Sequence, residues 1–135
     1  MTTLNPYISF RDSARAALEY YHDVLGGTLE ISTFDSMPAA GYDPSDGELV
    51  MHGSVTTDDG MVLMASDTPS SMEYAPARGI SVSVSGDDVD RLRTIWQRLL
   101  DGGSATIPLD RAPWGGEFGM LIDRFGIAWM VSIDS

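Results

Sequence analysis

The sequence predicts an α+β fold of two βαβββ modules, each a curved mixed sheet with a helix on its outer face. Three observations carry that expectation. Gly60, Met64 and Ser66 recur as Gly126, Met130 and Ser132, an offset of 66, with apolar residues filling most of the positions between. Upstream, Tyr7-Ile8-Ser9-Phe10 runs through a helical pattern to Gly26-Gly27, as Ile80-Ser81-Val82-Ser83-Val84 runs through another to Gly102-Gly103, an offset of 76. Duplication on this scale marks a repeated supersecondary unit. The ten-residue difference between the offsets places an extra loop in the first copy, and the turn-rich segment 35–47, with two Pro and two Gly, is where it fits.

Each element has a local reason. Residues 4–10 alternate apolar and polar, as a half-buried strand does. Ala14, Ala17, Leu18, Tyr21 and Leu25 follow helical spacing behind Asp12 or Ser13 as N-cap, and Gly26-Gly27 ends the helix. Residues 28–34, 49–56 and 61–66 read as strands, the last two joined across a tight Asp58-Asp59-Gly60 turn. In the second copy residues 80–85 alternate strictly. Val89, Leu92, Trp96, Leu99 and Leu100 line one face of a helix capped by Asp87 or Asp88. Strands follow near residues 105–109, 117–122 and 128–133. The domain reading is a first module over residues 1–67, a Pro- and Ser-rich linker over 68–78, and a second module over 79–135, forming one compact domain.

Composition excludes several functions. Twenty acidic against eight basic residues give a net charge of −12 over 135 residues, and all eight bases are scattered Arg. Phosphate backbones and anionic membranes are gripped by clustered Lys and Arg, so neither nucleic acid nor a membrane surface is an expected partner. No apolar run reaches the roughly 20 residues a spanning helix needs. The first residues lack the basic patch and apolar stretch of a secretory signal. Cysteine is absent, which removes disulfides, thiolate metal sites and thiol nucleophiles and agrees with a cytoplasmic location.

Asn5-Pro6-Tyr7, Met51-His52, Ala65-Ser66-Asp67, Trp114-Gly115, Phe118-Gly119 and Asp123-Arg124-Phe125-Gly126-Ile127-Ala128-Trp129 resemble the PhnB-like branch of the vicinal oxygen chelate superfamily. That superfamily holds glyoxalase I, extradiol dioxygenases, fosfomycin-resistance enzymes and bleomycin-binding proteins. The branch often carries a demethylubiquinone methyltransferase label. The Gly-rich loop after a first strand that methyl-donor nucleotide binding would want is not present in this sequence. In metal-using members each module supplies two ligands, His, Glu or Gln, one from its first strand and one from its last. Matched here, the resemblance implies Asn5 and Gly79 at the first-strand positions and Met64 and Met130 at the last-strand positions. Gly offers no side-chain donor, and thioether sulfur is a soft ligand for Cu(I)-like ions rather than for Mg, Mn, Ni or Zn. The expectation is therefore no metal and no other cofactor. The resemblance also implies a homodimer.

Strand alternation sorts the remaining chemistry. It sets Val50, His52, Ser54 and Thr56 on one face, and Asn5, Tyr7 and Ser9 on the corresponding face of the first strand. In the second module Gly79, Ser81 and Ser83 take that face, while Ile80, Val82 and Val84 pack on the helix. The expected ligand-binding residues are Asn5, Tyr7, His52, Ser54, Met64, Ser81, Trp114 and Met130. His52 is either a hydrogen-bonded structural histidine or a donor or base at neutral pH, and Tyr7 is the second proton-transfer candidate. Met fills empty cups as readily as it contacts ligands, and Trp114 serves either ligand stacking or packing. His22 reads as a surface residue, and Asp67 and Asp123 as turn caps. The first reading is thus a binder of a small, largely apolar molecule in a metal-free concave cavity. The second is a metal-independent lyase or isomerase using His52 or Tyr7. A metal-dependent glyoxalase-like enzyme stands third.

Overall fold

The computed structural model describes residues 2–36 and 42–134. The tip of the expected extra loop, residues 37–41, lies outside them. Contacts divide the chain into two units, Met1–Pro76 and Ala77–Ser135. Among the described residues no helix is long and apolar enough to cross a membrane.

The first unit contains β1 (Tyr7–Phe10), α1 (Ala14–Leu25), β2 (Thr28–Thr33), β3 (Val50–Thr56) and β4 (Val62–Asp67). The strand order is β1-β4-β3-β2, with β1 parallel to β4 and the other pairs antiparallel. The second unit repeats this as β5 (Ser81–Gly86), α2 (Val89–Leu100), β6 (Ser104–Arg111), β7 (Glu117–Ile122) and β8 (Ala128–Ile133), ordered β5-β8-β7-β6. This is the α+β pattern expected, a mixed four-stranded sheet and a helix written twice. Register shows the duplication residue by residue: Tyr7 lies opposite Met64 as Ser83 lies opposite Met130, giving the offsets of 76 and 66.

In each copy one sheet face is closed by its helix. Ile8 and Phe10 from β1, Val55 from β3, and Leu63 and Ala65 from β4 are buried, and so are Ala14, Ala17, Leu18, Tyr21 and Val24 of α1. Val24, not the expected Leu25, completes the buried stripe. In the second unit Val84, Leu121, Trp129 and Val131 are buried, with Leu92, Ile95, Trp96 and Leu99 of α2. Burying such side chains contributes roughly 1.5–3 kcal/mol each, so the helix-facing layer supplies most of each module's cohesion. The glycines after the helices act by close approach. A Cβ on Gly27 would collide with the Thr56 carbonyl oxygen, and one on Gly103 with that of Ile122, the same contact in both copies.

Several local expectations change. β1 begins at Tyr7, leaving Asn5 ahead of it. Ile80, expected to pack on the helix, precedes β5 and is 70% exposed, because the parallel pairing with β8 begins only at Ser81. Val50, expected beside His52, is buried, because a register shift between Ser32 and Thr33 interrupts the alternation at that end of β3. The register also corrects the pairing of Asn5 with Gly79: an offset of 76 makes Ser81 the counterpart of Asn5. Helix α1 takes no side-chain cap from Ser13. Instead Asp67, at the end of β4, accepts from the Ala14 N–H at 3.0 Å and the Val50 N–H at 2.9 Å. Helix α2 is capped locally by Asp88, which accepts from the Arg91 N–H.

Candidate functional site

The face of the first sheet opposite α1 carries the polar side chains. Register sets Tyr7 of β1 beside Met64 of β4, Met64 beside Ser54 of β3, and Ser54 beside Glu30 of β2. One row along, Ser9 pairs with Ser66 and His52 with Ser32. Period-two alternation turns all of these away from the helix-packed residues between them. Their exposure agrees: His52, Glu30 and Tyr7 are exposed, Ser54 and Met64 half-buried.

Within this face Tyr7 and His52 meet. The phenol oxygen lies 3.3 Å from His52 Nδ1, and the rings are tilted with centroids 5.7 Å apart. The contact accommodates both tautomers: the phenol donates to an unprotonated Nδ1, or Nδ1–H donates to the phenol oxygen and leaves Nε2 as the acceptor nitrogen. Two residues 45 apart in the chain, singled out separately as proton-transfer candidates, are therefore one unit. Met64 lies directly across the ladder from Tyr7, so the pair has a soft apolar neighbour. Asn5 sits before the strand and donates to Thr3 Oγ1 at 3.1 Å. His22 is outside this face, its Nε2 2.9 Å from the Gly27 carbonyl oxygen at the C-terminus of α1.

The second sheet presents a matching face. Ser83 pairs with Met130, Met130 with Met120, and Met120 with Ile107; Ser81 lies across from Ala128. Trp114, in the hairpin between β6 and β7, is 70% exposed and meets Phe118 edge-on at 5.6 Å. Together with Ile107 and Pro108 they line a depression of about 260 Å³. Glu30 and Met120 were not singled out in the sequence, and Phe118 only as part of a family motif, although the alternation of residues 28–33 and 117–122 would have placed them on this face.

Asp67 and Asp123, expected as turn caps, are buried and fully engaged. Asp123 accepts from the N–H groups of Phe125 and Ile127 and from Trp129 Nε1. Neither is free for chemistry on the open faces. Among the described residues no three His, Asp or Glu side chains converge as a cation site. At the positions where the family resemblance implies metal ligands, the register sets Asn5, Ser81, Met64 and Met130, an amide, a hydroxyl and two thioethers. That set does not fit a hard divalent ion, which calls for carboxylate oxygen and imidazole nitrogen.

The fold and these faces define the class, the PhnB-like branch of the glyoxalase/bleomycin-resistance/dioxygenase proteins. The chain belongs to the family described as 3-demethylubiquinone-9 3-methyltransferase, whose model matches residues 2–132. It is similar to the solved structure of protein PA1353 from Pseudomonas aeruginosa, at 32% identity and a TM-score of 0.86 over 99% of this chain and 98% of that one. A PhnB protein from Bacillus cereus, described as a putative 3-demethylubiquinone-9 3-methyltransferase, shares the fold at 20% identity and a TM-score of 0.76, covering 98% and 99% of the two chains. A glyoxylase/bleomycin resistance protein/dioxygenase domain from Frankia shares it at 14% identity and a TM-score of 0.68, over 100% and 98%.

Proposed function

We propose that the protein binds a small, largely apolar molecule on the open sheet faces, without a metal ion or other cofactor. The observation that carries this reading is the Tyr7–His52 pair beside Met64, a hydrogen-bonding point and a thioether on a face that Ser54 and Ser32 continue with hydroxyls and Glu30 with a carboxylate at its outer strand. Binding sites for such molecules combine soft apolar lining with a few placed polar groups. In the second module Ser81, Met130 and Trp114 are the corresponding candidates on its own open face, and in the first Asn5 precedes β1. The family's methyltransferase description receives no support from β1, which enters α1 through Arg11-Asp12-Ser13 without the Gly-rich turn that cradles a nucleotide donor.

The test is chemical extraction. Wild-type protein and a Tyr7→Phe/His52→Ala double variant are purified in parallel, denatured, and their extracts compared by liquid chromatography and mass spectrometry. The reading expects an organic species in the wild type that is depleted in the variant. Equal recovery from both, or none from either, overturns it.

The Tyr7–His52 contact also favours a second reading, a metal-independent lyase or isomerase. There His52 Nδ1–H donates to the Tyr7 phenol oxygen, which orients the ring, and the unprotonated Nε2 takes a proton from a bound carbonyl compound and returns it to the product. His52→Ala would then abolish turnover while circular dichroism stays unchanged, and unaltered turnover removes the role. We further propose a cytoplasmic homodimer. Light scattering at micromolar concentration should give twice the chain mass, and a monomer contradicts it.

A further inference from the structure

The duplication lets the two open faces be compared position by position. Register matches Tyr7 with Ser83, Ser54 with Met120 and Glu30 with Ile107, since the first of each pair lies on the Met64 row and the second on the Met130 row. Two residues before Ser54 and Met120 come His52 and Phe118, which are counterparts in the same way. Where the first module has an imidazole, a carboxylate and a hydroxyl, the second therefore has Phe118, Ile107 and Met120. The first face recognises polar groups, and the second has exchanged that ability for apolar contact.

These apolar side chains meet Trp114 at the β6–β7 hairpin. Between Ile107 and Asp110 the β6 strand takes three steps where β7 takes two, from Met120 to Phe118. An extra residue of this kind bends a strand, and the bend lies at the depression of about 260 Å³ lined by Ile107, Pro108, Pro113, Trp114 and Phe118. Trp114 is 70% exposed, yet its loop is held. The Ala112 N–H donates to the Gly116 carbonyl at 2.9 Å and the Gly115 N–H to the Ala112 carbonyl at 3.0 Å. Gly115 and Gly116 turn the tip at φ of 100° and 73°, a region that glycine adopts without strain. The indole then meets the Phe118 ring at 5.6 Å and an interplanar angle of 67°. Asp110 and Arg111, at the same depression, contribute one charge of each sign.

We propose that this depression is the subsite for an uncharged, planar aromatic ring, which narrows the ligand class to molecules carrying such a group. The inference rests on the small-molecule reading above and deepens it. Sites that enclose a drug-sized molecule hold roughly 300–1,000 Å³, so the depression takes one ring system and not a whole ligand. Aromatic rings favour edge-to-face and offset contacts, because the electron-poor edge of one ring meets the electron-rich face of the next. Trp114 and Phe118 already make one such contact, and most of the indole surface stays open to a third ring. An aliphatic group of the same size would gain burial alone.

The experiment is an ¹H–¹⁵N titration of the whole protein with benzyl alcohol, and in parallel with cyclohexylmethanol, which has the same carbon skeleton and hydroxyl but no π-system. The saturated alcohol has as much apolar surface to bury, so area alone gives benzyl alcohol no advantage. The Trp114 Nε1–H is followed, with the buried Trp96 and Trp129 as internal references. A saturable Trp114 shift is expected, with benzyl alcohol bound about two- to tenfold more tightly than cyclohexylmethanol. Trp114→Leu, an exposed substitution that keeps an apolar side chain, should erase that preference, read at the Phe118 amide. No saturable shift, equal affinity for the two alcohols, or a preference that survives Trp114→Leu overturns the proposal. So does a Trp114 signal that moves only on dilution of the protein, which assigns the indole to contact with a second copy. The Tyr7 and His52 amides report the first face separately, so a response there with none at Trp114 overturns this proposal and leaves the binding reading standing.

Discussion

Replacing Asp67 by Ala removes the carboxylate that ties α1, β3 and β4 together through the Ala14 and Val50 N–H groups, at 3.0 and 2.9 Å. The residue is 3% exposed, so water does not readily take over its bonds. A hydrogen bond to a charged acceptor contributes about 1.5–3 kcal/mol, and an orphaned buried donor costs a comparable amount, so two of them place the loss at about 3–6 kcal/mol. Typical domains hold about 5–15 kcal/mol in total, which makes the variant severely weakened. Asp67→Asn keeps one acceptor and should lose about half as much. Urea denaturation measures both, and amide exchange at Ala14 and Val50 locates the damage. A loss below about 1 kcal/mol in Asp67→Ala, with protection of both amides unchanged, would refute the idea that a carboxylate 53 residues away is the cap of α1.

Other expectations follow from the same contacts. Gly119→Ala places a Cβ 2.8 Å from two ring carbons of Trp96 and 2.9 Å from the Leu109 Cα; overpacking of this kind costs about 1–3 kcal/mol, and an unchanged urea midpoint would contradict it. Trp129→Phe deletes the indole donor to Asp123 Oδ2 at 2.9 Å and should destabilise by about 1–3 kcal/mol; a neutral result in denaturation would show that the turn bonds alone hold Asp123. Asp43 is held below its ordinary value of 3.8 by the Ser45 N–H and then the Ser45 hydroxyl. A depressed carboxylate of this kind helps the fold above its unfolded pKa and loses that help as pH falls through the lower folded value. Ser45→Ala should move the Asp43 titration part of the way back up, read from its carboxyl carbon by NMR, and no movement would contradict the assignment.

Much of the architecture was legible because the duplication is written in short-range signals. Gly26-Gly27 and Gly102-Gly103 punctuate both copies, and alternation in residues 7–10 and 81–85 marks both first strands. What escaped the sequence depends on partners distant along the chain. Ser13 has the composition of a cap, yet Asp67 performs that role from β4. Val50 obeys the alternation on paper, but a register shift beside β2 buries it. Asn5 and Gly79 look equivalent until the parallel pairing counts Asn5 onto Ser81. His52 and Tyr7 were each visible as candidates; that they touch was not, since their contact follows from the β1-β4-β3 order.

Native mass spectrometry puts the central claim to its most direct test. Protein equilibrated with Zn, Ni, Mn and Mg salts and then desalted is sprayed from ammonium acetate, so that metal and organic adducts are resolved in one spectrum. An organic adduct that His52→Ala diminishes, with no stoichiometric metal, is the result expected from an amide, a hydroxyl and two thioethers at the ligand positions. One divalent ion per chain, lost in His52→Ala, would contradict it.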